Sequence, residues 1–138
     1  MKYVITSLLF AGMLFITGCA STGSSSSGNS PQAGTEIMVD NPNLGLDIYL
    51  RRLSGVRVQG SGRAATISIR GSSSTFLESD TRPLFVIDGV RAGRSFSNIY
   101  TMLNMQNVSA VRVLKLSRAN LLYGYEGRNG VIEIMTRS

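Results

Sequence analysis

The run Pro83-Leu-Phe-Val-Ile87, without one polar side chain, most narrows what this chain can become. A strand exposed on one side alternates apolar with polar residues, whereas a short unbroken apolar run fits a central strand buried on both faces. Asp88-Gly89 follows at once and signals a tight turn. A strand covered on both sides belongs to a layered domain, and the flanking pattern supplies the layers. Leu46, Leu50 and Leu53 recur at i, i+4 and i+7, with Arg51 and Arg52 closing the turn where cations suit the helix dipole. Asn43 is the expected N-cap of this helix and Ser54-Gly55 its end. Val56 to Gln59 and Ala65 to Arg70 each alternate around Gly60-Ser-Gly62, which predicts a hairpin with one buried face.

Gly71 to Thr81 reads as a polar loop. Val90 to Gln106 leaves helix and loop open, with Ile99, Met102 and Leu103 marking one short helical turn. Val111 to Leu116 is strand-like, Arg118 to Tyr123 is a short helix ended by Gly124, and Val131 to Thr136 is a closing strand. The fold class is α/β (α+β): a small mixed β-sheet with two or three short helices, forming one domain over residues 36–138.

Residues 1–18 have a different character. Met1-Lys2 gives a positive start, residues 3–17 carry no charge, and Ile16-Thr-Gly-Cys19 resembles a bacterial lipobox. About 15 residues at a helical rise cover only ~22 Å, short of a ~30 Å hydrocarbon core, so a cleaved lipoprotein signal is expected rather than a span. Cys19 is then the lipidation site, carrying palmitate-type acyl chains, and membrane lipid is the first expected partner. Residues 20–35 are rich in Ser and Gly and lack large apolar side chains, which predicts a tether of roughly 20–24 Å r.m.s.. Ala20 stands where an Asp would signal inner-membrane retention in bacterial lipoproteins, and no acid precedes Glu36. That resemblance implies the outer membrane, lipid-anchored and facing the periplasm.

The 138 residues include no His, no Trp and one Cys. A Ser-His-Asp triad, a Cys-His nucleophile, Cys/His zinc sites and an intrachain disulfide are all excluded. Gly60-Ser-Gly62 and Gly124-x-x-Gly127-x-x-Gly130 lack the frame of a phosphate loop and read as turn glycines. Glu78 and Asp80 could hold calcium, but two carboxylates are few for that ion, and an ordinary loop is favoured. No enzyme activity, metal or cofactor is expected. Fourteen Lys and Arg against eight Asp and Glu give a net charge of +6. In an exported, anchored protein that surplus points to anionic head groups or an acidic protein surface rather than nucleic acid, or simply to solvated strand faces.

Six phrases recur in order: Leu53-Ser-Gly-Val-Arg-Val58, Ile67-Ser-Ile-Arg-Gly71, Pro83 to Val90, Val111-Arg-Val-Leu-Lys115, Leu122-Tyr-Gly124 and Gly130-Val-Ile-Glu-Ile134. Together they resemble the plug domain of TonB-dependent outer-membrane receptors, especially the SusC-like branch, over residues 44–137. The resemblance implies a plug fold that gates uptake inside a barrel of about 22 strands, which at about 10 residues each needs some 220 residues beyond the plug. This chain is therefore expected to act as a plug-like module without its own barrel. Arg112 stands where the family's phrase usually has Glu, so docking against a barrel wall at that point is expected to differ. By the same resemblance, loops 71–82 and 91–98 face ligand or partner, which makes Ser72, Ser73, Ser74, Glu78, Asp80, Arg82, Arg91 and Arg94 the candidate site residues. The expected function is a non-enzymatic accessory or interaction module of an envelope or nutrient-uptake assembly, with an outer-membrane barrel or envelope protein as partner. The alternative is a periplasmic lipoprotein that binds a small ligand or glycan. The oligomeric state is left open.

Overall fold

The computed structural model describes residues 35–71 and 80–137. Strand β1 (Glu36–Met38) leads into helix α1 (Leu46–Arg52) and the hairpin β2 (Val56–Gln59) and β3 (Thr66–Ile69). Strands β4 (Leu84–Ile87) and β5 (Val90–Gly93) precede helix α2 (Phe96–Met102). Strand β6 (Val108–Leu114), helix α3 (Leu116–Tyr123) and strand β7 (Val131–Thr136) complete the domain. Five strands form one sheet in the order β1-β6-β7-β4-β5, and β2-β3 pair separately. Only β4 and β7 run parallel in the large sheet; its other neighbours are antiparallel.

Strand alternation sends alternate side chains to two covered faces. Phe85, Val111, Val113, Ile132 and Ile134 meet α1, α2 and the hairpin through Leu46, Leu50, Leu53, Ile67, Ile69 and Ile99. On the opposite face Leu84, Val86, Leu114 and Val131 pack with Ala119 of α3. The apolar run is thus a strand buried on both sides, as its composition requires. Among the described residues, every buried apolar side chain lies between Val39 and Ile134, and the core they form closes within those limits.

The expected elements recur with five corrections. Asn43 does not cap α1: the N-cap is Gly45, and Asn43 instead donates its N–H to Asn41 Oδ1. Strand β1 was not anticipated; its three residues exist because β6 offers an edge. Val90 to Gly93 is a strand that returns along β4 after the Asp88-Gly89 turn, rather than loop or helix. Strand β6 begins three residues earlier than the apolar pattern suggests, and α3 two residues earlier.

Two glycines have steric reasons. A Cβ on Gly127 would lie 2.2 Å from the Ala119 carbonyl oxygen, so the segment after α3 can close on that helix only without a side chain. Gly130 has φ +84 and sits against Ile69 and the Leu114 carbonyl as β7 begins. The spaced glycines therefore serve close packing and turning.

Candidate functional site

Arg82, the last residue of loop 71–82, and Arg94, inside loop 91–98, line the same cleft. It has a volume of about 340 Å³; Arg63 lines it too, and Pro83, Phe85 and Phe96 supply apolar surface. Phe96 is fixed by ring contacts to Phe85 at 5.9 Å and Tyr100 at 5.7 Å between centroids. Ser95 caps α2 through its hydroxyl, which accepts the Asn98 N–H.

The two cleft arginines are already held. Arg82 donates from Nε to Asp80 Oδ1 at 2.7 Å and from Nη2 to Oδ2 at 2.9 Å, a bidentate pair. The Arg82 guanidinium holds the Asp80 carboxyl below its ordinary range, and Asp80 in turn raises the Arg82 pKa. Arg94 donates to the Arg82 carbonyl at 2.7 Å and the Glu126 carbonyl at 2.6 Å. Beneath them Asn129, buried, donates Nδ2 to the carbonyls of Asp80 and Arg82. A loop end, a strand start and the segment before β7 are thereby tied into one polar knot.

Arg91 lies outside that knot. It pairs with Glu126 at 2.8 Å, both side chains more than half exposed, and its guanidinium sits 5.9 Å from the Tyr123 ring centre. Ser72, Ser73, Ser74 and Glu78 lie outside the described residues, as does Cys19. With both oxygens of Asp80 taken by Arg82, that carboxylate is not poised for calcium. Among the described residues no three Cys, His, Asp or Glu side chains converge on a metal position. Sequence reasoning had not assigned Arg63 or Asn129 to the site. Asn129-Gly130 reads locally as one more turn dipeptide, and only its burial distinguishes it.

Arg112, the departure in the fourth phrase of the resemblance, is engaged within the sheet. Its Cα registers with Glu36 on β1 and Glu133 on β7. Nε donates to Glu133 Oε2 at 2.7 Å, Glu36 lies 3.8 Å away, and the Tyr123 hydroxyl donates to Glu133 Oε1 at 2.8 Å. Burial, then the Glu133 carboxylate, raises the Tyr123 pKa, which keeps that hydroxyl a donor. One cation between two acids on adjacent strands is locally complementary, so the changed sign is answered inside the molecule.

Residues 22–131 match the family described as the TonB-dependent Receptor Plug Domain. The chain is 34% identical over 99 residues to TonB-dependent receptor SusC of Bacteroides thetaiotaomicron, covering 66% of this chain and 10% of that one. It is 29% identical over 116 residues to TonB-dependent receptor P26 of Formosa agariphila, covering 80% of this chain and 11% of that one. It thus spans about a tenth of the length of these relatives. The fold overlays on the RagAB peptide importer in its closed-closed state with a TM-score of 0.61 at 20% identity, covering 78% of this chain and 12% of that one. It also overlays on the siderophore receptor PirA from Acinetobacter baumannii, with a TM-score of 0.52 at 20% identity, covering 75% and 17%.

Proposed function

This chain belongs to the TonB-dependent receptor plug domain family, and on that premise we propose that it works as an outer-membrane lipoprotein, acylated at Cys19, whose plug domain is a non-catalytic interaction module of a nutrient-uptake or envelope assembly. The observation that carries the reading is a plug domain whose core closes between Val39 and Ile134, behind a lipobox and a Ser/Gly-rich stretch. Family membership supports an outer-membrane setting; the lipobox supports the anchor. Arg112 also supports docking in a manner of its own, because its charge is satisfied by Glu36 and Glu133 rather than presented to a partner. Affinity purification of the full chain from cross-linked envelope membranes should enrich a barrel or other envelope protein. Recovery of the chain alone would overturn the assembly role, and an unmodified Cys19 by mass spectrometry would overturn the anchor.

The cleft supports a second reading, capture of a small anionic ligand or glycan. Its lining takes in Arg82 from loop 71–82, Arg94 to Ser97 from loop 91–98 and Arg63 to Ile67, and Arg63 makes no ion pair among the described residues. A ligand present at 100 times its Kd stabilises the domain by about 2.7 kcal/mol. A thermal-shift screen should show such a gain, and Arg63→Gln should reduce it. A screen with no stabilising ligand sinks this reading and leaves the first untouched.

A further inference from the structure

The basic surplus is not spread evenly over the fold. Arg57 and Arg70 project from the solvent face of the β2–β3 hairpin, where they share a shallow cavity of about 260 Å³ with Ser68. Pairing puts Arg57 opposite Ser68, while Val56, Val58, Ile67 and Ile69 point the other way into the core. The ends of the hairpin abut the start of α3. Lys115 Cε lies 3.5 Å from where a Gly55 Cβ would stand, and Leu116 Cδ1 lies 3.7 Å from the same position on Gly71. Lys115 and Arg118 then line a second cavity together with Thr35. Arg57, Arg70, Lys115 and Arg118 are all exposed, and none has an ion-pair partner among the described residues. One acid, Glu36, also lines the second cavity, and it faces Arg112 at 3.8 Å.

Thr35 locates this ridge relative to the chain that leads back to Cys19. Its carbonyl accepts the Val113 N–H at 2.7 Å, so the chain enters the fold beside Lys115 and Arg118. We infer that Arg57, Arg70, Lys115 and Arg118 form a membrane-facing ridge that binds the phosphates of anionic lipid head groups. The inference rests on the acylated Cys19 for its orientation: an anchor on this side holds the ridge within a tether length of the lipid. Juxtamembrane cations attract an anionic surface additively, and the attraction dies away within a Debye length. An acidic protein would find the same charges, but the anchor already supplies a lipid surface at this place.

Flotation with vesicles tests the ridge. A soluble chain of residues 20–138 retains the core, which closes between Val39 and Ile134, and has no acyl group to confound binding. It should float with mixed phosphatidylglycerol–phosphatidylcholine vesicles at low salt, stay behind with pure phosphatidylcholine, and be released by high salt. Each basic side chain removed from the ridge should weaken partition about fivefold, so Arg57→Gln/Arg70→Gln should lose roughly 25-fold. Arg91→Gln/Arg128→Gln removes the same charge from β5, at the sheet edge opposite β1, and from the segment between α3 and β7, and should lose much less. Equal losses from the two double variants, equal binding to neutral vesicles, or no flotation at all would each overturn the inference. Thermal melts of both variants confirm that the exposed substitutions leave the fold intact. The anchor is read separately, by mass spectrometry of Cys19 in the full chain, so either claim can fail without the other.

Discussion

Two groups of arginines divide this molecule. At the cleft, Arg82 and Arg94 are held by a carboxylate and by main-chain carbonyls, with Asn129 underneath; along the hairpin, Arg57 and Arg70 are exposed and have no ion-pair partner among the described residues. The same residue type thus plays two parts. In the knot the Arg82 guanidinium binds the Asp80 carboxylate and that of Arg94 binds the Arg82 and Glu126 carbonyls where three segments meet, and both contribute to stability. Those on the ridge contribute field, which acts on whatever approaches. Net charge alone does not separate the two.

Substitutions should pull this contrast apart. The largest effect belongs to Arg112, a partly exposed arginine on β6 that calibrates the scale. Arg112→Glu sets three carboxylates side by side on β1, β6 and β7 and should cost about 2–3 kcal/mol, seen as a lower midpoint in urea unfolding. Next, Asn129→Ala leaves the Asp80 and Arg82 carbonyls without its amide and should cost about 2 kcal/mol in the same measurement. Arg94→Gln removes two charge-assisted bonds to carbonyls and should cost about 1–1.5 kcal/mol. On the ridge, Arg57→Gln and Arg70→Gln should change stability by no more than about 0.5 kcal/mol. A ridge substitution as costly as Asn129→Ala would erase the distinction.

Acid sharpens it further. The pKa of Asp80 is depressed by Arg82, so the folded state holds this carboxylate ionised more strongly than the unfolded chain does. That contribution is present above the ordinary carboxylate pKa and is lost as pH falls through the lower, folded value. Asp40, hydrogen-bonded by Tyr49, and Asp88, hydrogen-bonded by Thr136, are shifted in the same direction. Stability should therefore drop on acidification below about pH 4, with a shallower drop in Asp80→Asn. An unchanged slope in that variant would show that the pair does not hold the knot.

How much of this could be read beforehand depended on the range of each signal. Helix α1 and strand β4 declare themselves locally, because leucine spacing and an unbroken apolar run are complete within one element. Strand β1 has no such pattern in Glu36-Ile-Met38; it is defined by its register with β6, more than 70 residues along the chain. Strand β5 was hidden for a similar reason, since Val90 is 70% exposed and Gly93 is a poor strand residue on propensity alone. The cleft was half legible. Arg82 and Arg94 fell in loops with a recognisable place in the pattern, whereas Arg63 and Asn129 join them only through folding. The partnership of Arg112 with Glu133 spans 21 positions, and no spacing rule short of the sheet register reveals it.

Strand β1 carries a mechanical consequence. The polypeptide running back to Cys19 leaves the domain through an outermost ribbon, three residues paired with β6 and one further bond at Thr35. Any pull from the N-terminal side bears first on that short ribbon, well before the load reaches the interlocked centre where β7 lies between β6 and β4. Peeling it would lengthen the leash by a few residues while Ile132 and Ile134 stay sealed, so the domain can yield to tension at its margin and still keep its shape.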